Sequence, residues 1–204
     1  FKDSRNKKKQ MKLILASKSG VRKKILDKYK IDFEVIVSRV DEDQVKESLL
    51  AEGANPLVIS KNLAELKAKK VSNNNPDRLV LGADSVISLQ DKLINKPKSR
   101  EEALDILKEL NNSKHFLISS VCISKNGAMI WNHSDQSELK MKKFQEEDLL
   151  KYLNKISTET LLAYGVYQIE ADGLSLFEYI KGDKDSIMGL PIKQIMNYIE
   201  NYKE

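Results

Sequence analysis

The apolar positions along the chain change their period repeatedly, and each change marks a new element. Lys12-Leu13-Ile14-Leu15-Ala16 is a short apolar run with the shape of a buried strand. Ser17-Lys18-Ser19-Gly20 breaks it, after which Val21, Ile25, Leu26 and Tyr29 recur at helical spacing. Phe33, Val35 and Val37 alternate as a second strand. The pattern predicts helices around 42–52 and over 57–71, the second opened by Pro56 and carrying Ile59, Leu63 and Leu66 on one face. Leu79 to Leu89 reads as a central strand and Leu93-Ile94 as a short one. An amphipathic helix follows over 99–110. Phe116 to Ser124 and Met129 to Met141 read as strands joined at the hairpin signal Asn126-Gly127. A short helix over 146–154, a strand from Leu174 to Ile180, and a last helix opened by Gly189-Leu190-Pro191 and running to about 202 complete the chain. Strands and helices interleave with one hairpin, so the expected class is α/β: a mixed β-sheet with flanking helices.

Composition narrows the function classes. The chain has 204 residues, enough for one domain with a real core, and we expect residues 11–204 to form that single domain. The formal net charge is +5, but it is unevenly placed. Residues 1–10 hold five basic side chains against one acidic, whereas the other 194 residues hold 30 against 29. The basicity therefore belongs to an N-terminal extension, read here as a flexible leader, with a nucleic-acid or membrane-surface arm as the alternative. The body offers no electrostatic case for nucleic acid. One cysteine, Cys122, cannot form an internal disulfide, and its apolar setting predicts a buried inert thiol. Together with His115 and His133 it cannot build a four-ligand zinc site. No apolar run reaches the roughly 20 residues of a membrane span, and no signal peptide is evident, so the default compartment is the cytoplasm.

Candidate chemistry sits where local rules fail. At Ser17-Lys18-Ser19-Gly20-Val21-Arg22 a strand runs through a hydroxyl-rich turn into a helix start, where free N–H groups and the helix dipole favour an anion. Yet Arg22, Lys23 and Lys24 place cations in that first turn, a conflict that a bound phosphate chain would resolve. The plain alternative is that Ser17 or Ser19 only caps the helix. Asp84 interrupts the most apolar strand, and a carboxylate there must be paired, hydrogen-bonded or metal-bound. Gly82, two residues earlier on the same face, would leave room for a ligand. Asp41-Glu42-Asp43 suits a hard divalent cation or simply a solvated helix start. Lys96-Pro97 and Lys67 are cations near apolar elements, and Tyr164 to Glu170 combines an amide, a carboxylate and two phenols suited to a base or ribose, or to a packed loop. With no Ser-His-Asp set and no Cys-His pair, this toolkit fits metal-assisted attack of water on a phosphoanhydride.

In this order and spacing the motifs resemble the Maf family of nucleotide pyrophosphatases. The family's opening strand and Ser-x-Ser-Pro-Arg-Arg stand here as Ser17-Lys18-Ser19-Gly20-Val21-Arg22. Val40-Asp41-Glu42, Lys67-Ala68, Gly82-Ala83-Asp84-Ser85-Val86, Lys96-Pro97 and Gly189-Leu190-Pro191 follow, from Met11 to near the C-terminus. The resemblance implies two lobes around a deep cleft, a cytoplasmic homodimer, and hydrolysis of a nucleoside triphosphate between its α and β phosphates with Mg²⁺ or Mn²⁺. It implies Asp84 as proton acceptor, Glu42 and Asp84 at the metal, and Lys67 neutralising charge. Ser17, Ser19, Arg22 and Lys96 would handle the phosphates. The chain departs from the family at Gly20-Val21, where Pro-Arg is expected, and at Ser85, where Thr is expected. Alignment on Gly165 puts Glu170 where the pyrimidine branch has Gln. A missing first arginine and this glutamate are similar to the 7-methyl-GTP branch, which carries Trp and Gln in place of Val21 and Ser85. Val21, Ser85 and Glu170 are therefore the specificity candidates, and a modified or purine-like nucleotide is the expected substrate. The alternatives are a dTTP/UTP pyrophosphatase and a catalytically reduced nucleotide-binding regulator of cell division.

Overall fold

The structure is a computed structural model that describes residues 12–203. The expected leader at residues 1–10 lies outside them. Strand β1 (Leu13–Leu15) pairs in parallel with β2 (Phe33–Val35) and with the start of β3 (Val80–Leu89). On its other edge β3 runs antiparallel to β5 (Lys114–Lys125) along nearly its whole length, from Val80 to Ser88. Strand β5 pairs with β6 (Ala128–Met141) through the Asn126-Gly127 turn, and β6 pairs with β7 (Phe177–Lys181), giving a mixed seven-stranded sheet in the order β2-β1-β3-β5-β6-β7. The seventh strand, β4 (Lys92–Ile94), folds back on the far end of β3, from Ile87 to Leu89.

This pairing forks the sheet. Because β5 occupies one edge of β3, β1 and β4 share the other. Strand β1 meets Val80 and Leu81, and β4 meets Ile87 to Leu89. Between them no strand pairs with Gly82–Val86, and Asp84 stands in that interval. Apolar side chains gather on either side of the fork. One cluster holds Leu13, Leu15, Leu81, Ile123, Ile192 and Ile195. Another holds Leu107, Leu139, Met141, Leu149, Tyr152 and Phe177. The long strands β5 and β6 run through both, so two lobes share one sheet.

Helices α1 (Gly20–Lys28), α2 (Glu42–Ala51), α3 (Pro56–Ser72), α4 (Arg100–Leu110), α5 (Glu146–Asn154) and α8 (Ile192–Asn201) match the expected spans. Each of the first four opens on a side-chain cap: Ser19, Asp41, Asn55 and Ser99 accept a backbone N–H from three residues on. Two readings need correction. The strand expected at Leu174 begins instead with a 3₁₀ turn, Asp172–Leu176, and β7 starts at Phe177. Gly173 allows that turn to pack tightly: a Cβ there would lie 2.3 Å from the Gln168 carbonyl oxygen. Gly82 makes no room for a ligand, since a Cβ there would lie 2.2 Å from the Ala64 carbonyl oxygen and 2.7 Å from the Ala68 nitrogen. It lets the backbone of α3 press directly onto β3, and that contact carries Lys67 to Asp84. Two further helices, α6 (Thr158–Tyr164) and α7 (Lys184–Ile187), are too short to announce themselves by periodicity.

Candidate active site

Asp84 is buried in the fork, and its surroundings decide its chemistry. Lys67 projects from α3 and places Nζ 3.0 Å from Asp84 Oδ1, 3.3 Å from the Ala83 carbonyl and 2.9 Å from Glu42 Oε1. Ser60, two turns earlier on the same helix, donates to the Asp84 carbonyl at 3.2 Å. The other carboxylate oxygen, Asp84 Oδ2, is buried without a hydrogen-bond partner. Burial raises the Asp84 pKa, and the attraction of Lys67 and Arg22 only partly offsets it. Partial burial acts the same way on Glu42, but there the Lys67, Lys46 and Lys96 cations outweigh it and hold the pKa below the usual carboxylate value. The acidic stretch thus divides its labour. Asp41 caps α2 by accepting from the Gln44 N–H at 3.1 Å, Asp43 is exposed, and Glu42 reaches the buried lysine.

Across the fork, Arg22 turns back from α1 instead of pointing to water. Its Nε donates to the Gly189 carbonyl at 2.9 Å, Nη1 to Ser17 Oγ at 3.2 Å and Nη2 to Ser85 Oγ at 3.2 Å. A guanidinium has five N–H bonds, so two stay uncommitted, one on each terminal nitrogen. Gly189 has φ +109°, in the region that favours glycine, and a Cβ there would lie 3.3 Å from Ser85 Oγ. This gives the Gly189-Leu190-Pro191 motif its role: it brings a main-chain carbonyl against Arg22. Ser17 Oγ also accepts from the Ser19 N–H at 3.2 Å. With both lone pairs engaged, its own proton is what Ser17 can offer an anion. Ser19 Oγ caps α1 by accepting from the Arg22 N–H at 3.4 Å.

Lys96 follows β4, and its Nζ donates to the Ala163 carbonyl in the last turn of α6 at 3.0 Å. Desolvation and the Arg22 charge lower its pKa, while Glu42 and Asp84 pull it back up. Next to Ala163, Tyr164 is 45% exposed, and its hydroxyl lies 3.5 Å from where a Cβ on Gly20 would stand. The fork therefore gathers Ser17, Ser19, Arg22, Glu42, Lys67, Asp84, Ser85 and Lys96.

The three specificity candidates are not brought together. Ser85 touches Arg22, Val21 packs against the apolar cluster of β1 and α8, and Glu170 is exposed in a surface cleft with Lys24, Lys28, Lys184 and Asp185. Among the described residues no group of three or more His, Cys, Asp and Glu side chains could hold a metal ion, so a cation here would rest on Glu42 and Asp84 with oxygens from elsewhere. Asp84 Oδ2, buried and unpartnered, fits a hard cation, which takes one or two carboxylates and fills its shell with phosphate oxygens and water.

The remaining sequence candidates are structural. Cys122 is free and buried, and burial pushes its thiol up to about 11. His115 is enclosed against Tyr167, and His133 Nε2 lies 2.6 Å from Asp135 Oδ1. Ser186 Oγ reaches the other oxygen of Asp135. The carboxylate stands between serine and histidine, so the imidazole cannot take the serine's proton as it does in a nucleophilic triad. Sequence reasoning passed over Ser119, whose hydroxyl meets Ser85 Oγ at 3.1 Å and donates to the Ser186 carbonyl at 2.6 Å. The signal was present as Ser119-Ser120, two hydroxyls inside the apolar run Leu117–Ile123.

The family model described as Maf-like protein matches residues 12–202. The chain is 58% identical over 191 residues to a nucleoside triphosphate pyrophosphatase of Pelagibacter ubique, covering 94% of this chain and 98% of that one. It is 38% identical to a protein of the same name from Ruegeria pomeroyi, covering 92% and 94%. It is 35% identical to a 7-methyl-GTP pyrophosphatase of Rhizobium etli, covering 91% and 93%. With the family model spanning nearly all of the described residues and identity this high over full-length relatives, the chain belongs to the Maf-like protein family.

Proposed function

We propose that this chain is a nucleoside triphosphate pyrophosphatase that hydrolyses the α–β phosphoanhydride, releasing a nucleoside monophosphate and diphosphate. One observation carries the reading. The buried carboxylate Asp84 has one oxygen held by Lys67 and the other free, and it stands in a break of the sheet that also holds an arginine with two uncommitted N–H bonds. The activity named for the Pelagibacter and Ruegeria relatives is of this class.

The chemistry follows from the hydrogen bonds already made. Lys67 fixes Asp84 Oδ1, so Oδ2 is the atom that takes a proton from the attacking water, on one of its two lone pairs, the other being the one a cation would use. Burial raises the pKa of that carboxyl toward the working range of a general base. The water oxygen forms a bond to a phosphorus of the α–β anhydride, and the bridging oxygen leaves with the other phosphate. Arg22, Ser17 and Lys96 supply donors to the phosphate oxygens as charge shifts onto the leaving group. Glu42 and Asp84 would hold Mg²⁺ or Mn²⁺, which neutralises phosphate charge when bound. For the base, a modified or purine-like nucleotide such as 7-methyl-GTP is the reading that Val21, standing where the family's first arginine is expected, supports. The Rhizobium relative is named for that substrate.

Incubating the purified protein with 7-methyl-GTP, dTTP, UTP and the common triphosphates in Mg²⁺ or Mn²⁺, and measuring diphosphate, tests both levels. Release from any triphosphate, lost in Asp84→Asn, supports the activity. Preference for dTTP or UTP overturns the base assignment alone. Binding without turnover points to the regulator instead.

A further inference from the structure

We infer that Ser119, which lies outside every motif of the site, is a positioning residue that sets how Arg22 presents its free N–H bonds to the substrate phosphates. The inference rests on the phosphate-binding role of Arg22 proposed above. Ser119 is 1% exposed on β5 and lies directly opposite Ser85 in the register of β3 and β5.

The direction of each hydrogen bond is fixed from one end. The Ser186 main-chain carbonyl can only accept, so the single Ser119 hydroxyl proton is committed to it at 2.6 Å. The 3.1 Å contact between the two hydroxyls must then carry the Ser85 proton toward Ser119. That leaves the Ser85 lone pairs as the acceptor that Arg22 Nη2 meets at 3.2 Å. Without Ser119, the Ser85 proton is free to rotate toward Arg22, where donor would face donor.

The far end of this chain is itself held. The Ser186 N–H donates to Asp183 Oδ1 at 3.1 Å, and its hydroxyl is engaged by Asp135. The segment from α7 to Gly189 therefore grips Arg22 twice: directly through the Gly189 carbonyl on Nε, and indirectly through Ser186, Ser119 and Ser85 on Nη2. Two of the three bonds that orient the guanidinium trace back to one short stretch of backbone. Strand β5 is thus part of the phosphate site without touching substrate.

Steady-state kinetics of Ser119→Ala with the best substrate of the panel should show KM raised about fivefold to tenfold with kcat within about twofold, the size expected for one misdirected hydrogen bond to a charged group. Ser119→Thr, which keeps the hydroxyl, should restore KM. Ser119→Cys keeps the volume with a poor donor and should repeat the alanine result if Ser119→Ala does not fold. Ser85→Ala and Ser85→Ala/Ser119→Ala should share one KM, because both act on the same guanidinium. Ser124→Ala deletes a buried hydroxyl farther along the same strand, where Ser124 meets Cys122 opposite Val80, and should leave KM unchanged. An unchanged KM in Ser119→Ala, or additive effects in the double variant, overturns the proposal. Calorimetric titration with inorganic tripolyphosphate separates the two layers. If Arg22→Ala binds it as tightly as wild type, the phosphate role of Arg22 fails. If Arg22→Ala weakens binding and Ser119→Ala does not, only the positioning role fails.

Discussion

Strands β3 and β5 lie side by side, and each buries a titratable side chain with one polar atom left unpartnered: Asp84 Oδ2 and His115 Nδ1. By burial alone the two look equivalent. Their neighbours differ. Asp84 faces Lys67, Arg22 and Glu42, with Lys96 close by, in an interval where no second strand pairs. His115 faces the rings of Tyr167 and Phe177, at 5.7 and 5.9 Å between centroids, inside the apolar cluster of the second lobe. Desolvation disfavours charge in both: it raises the carboxyl pKa of one and lowers the imidazole of the other to about 4. Only Asp84 has opposite charges that make its ionised form accessible and a partnerless oxygen set in a fork of the sheet. A buried orphan atom marks a site when charges converge on it, and marks a packing defect when they do not.

Removing the charge at each position tests that distinction most strongly. Asp84→Asn keeps shape and burial and should lower kcat by about a thousandfold, the typical weight of a general base, with thermal stability at or above wild type. His115→Phe removes the other orphan and should leave kcat and KM unchanged. A His115 variant with impaired turnover at wild-type stability would break the comparison.

The next effect is on stability. Lys67 is 93% buried by side chain and neutralises two carboxylates, so Lys67→Met should cost about 3–5 kcal/mol in chemical denaturation, the usual penalty for stranding a buried charge. In an Asp84→Asn background the same substitution should cost markedly less, because one stranded charge is already gone. Equal costs in both backgrounds would mean that Lys67 acts through packing alone.

Much of this contrast was legible in the chain, though not all of it. Asp84 stood out because a carboxylate breaks an apolar strand, and the opening turn because cations crowd a helix start. Both anomalies are local, so periodicity exposes them. The motif order pointed to the family. What sequence could not supply was pairing over long separations. That β1 and β4 share one edge of β3, leaving Asp84 between them, is a property of topology. Gly82 was misread because a glycine beside a candidate site looks the same whether a ligand or a helix backbone approaches it. His115 showed no partner pattern and Ser119 drew no attention because their partners, Tyr167 and Ser186, lie 52 and 67 residues away.

The His115 half of the comparison carries a pH signature. The folded-state pKa of about 4 lies below the ordinary 6.5, so the neutral imidazole is the form that folds. Its contribution is fully present above pH 6.5. As pH falls from 6.5 toward 4 the unfolded chain takes up a proton that the folded chain refuses, and stability drops by about 3 kcal/mol across that window. Denaturant titrations at pH 7 and pH 4.5 should show this loss in wild type and most of it abolished in His115→Phe. A parallel loss in both would place the acid sensitivity elsewhere.

The smallest effect reads the hydrogen bond inside that core. His115 Nε2 lies 3.0 Å from the Tyr167 hydroxyl, and the two possible directions are not equal. If the imidazole donated, the phenol proton and Nδ1 would both be unmatched. If the phenol donates, only the Nδ1–H is. Counting unsatisfied groups therefore assigns the Nδ1–H tautomer, with Tyr167 as donor. Tyr167→Phe removes that donor, leaves a bare acceptor in an apolar setting, and should cost about 1–2 kcal/mol. It should also move the ¹⁵N shift of Nε2 without altering KM or kcat, since nothing in this cluster touches Arg22 or Asp84. An Nε2–H signal in wild type would mean that the histidine is the donor. The buried orphan at Nδ1 would then be a lone pair instead of a proton, and what keeps it out of chemistry would be its enclosure by the rings of Tyr167 and Phe177, away from the charges around Asp84.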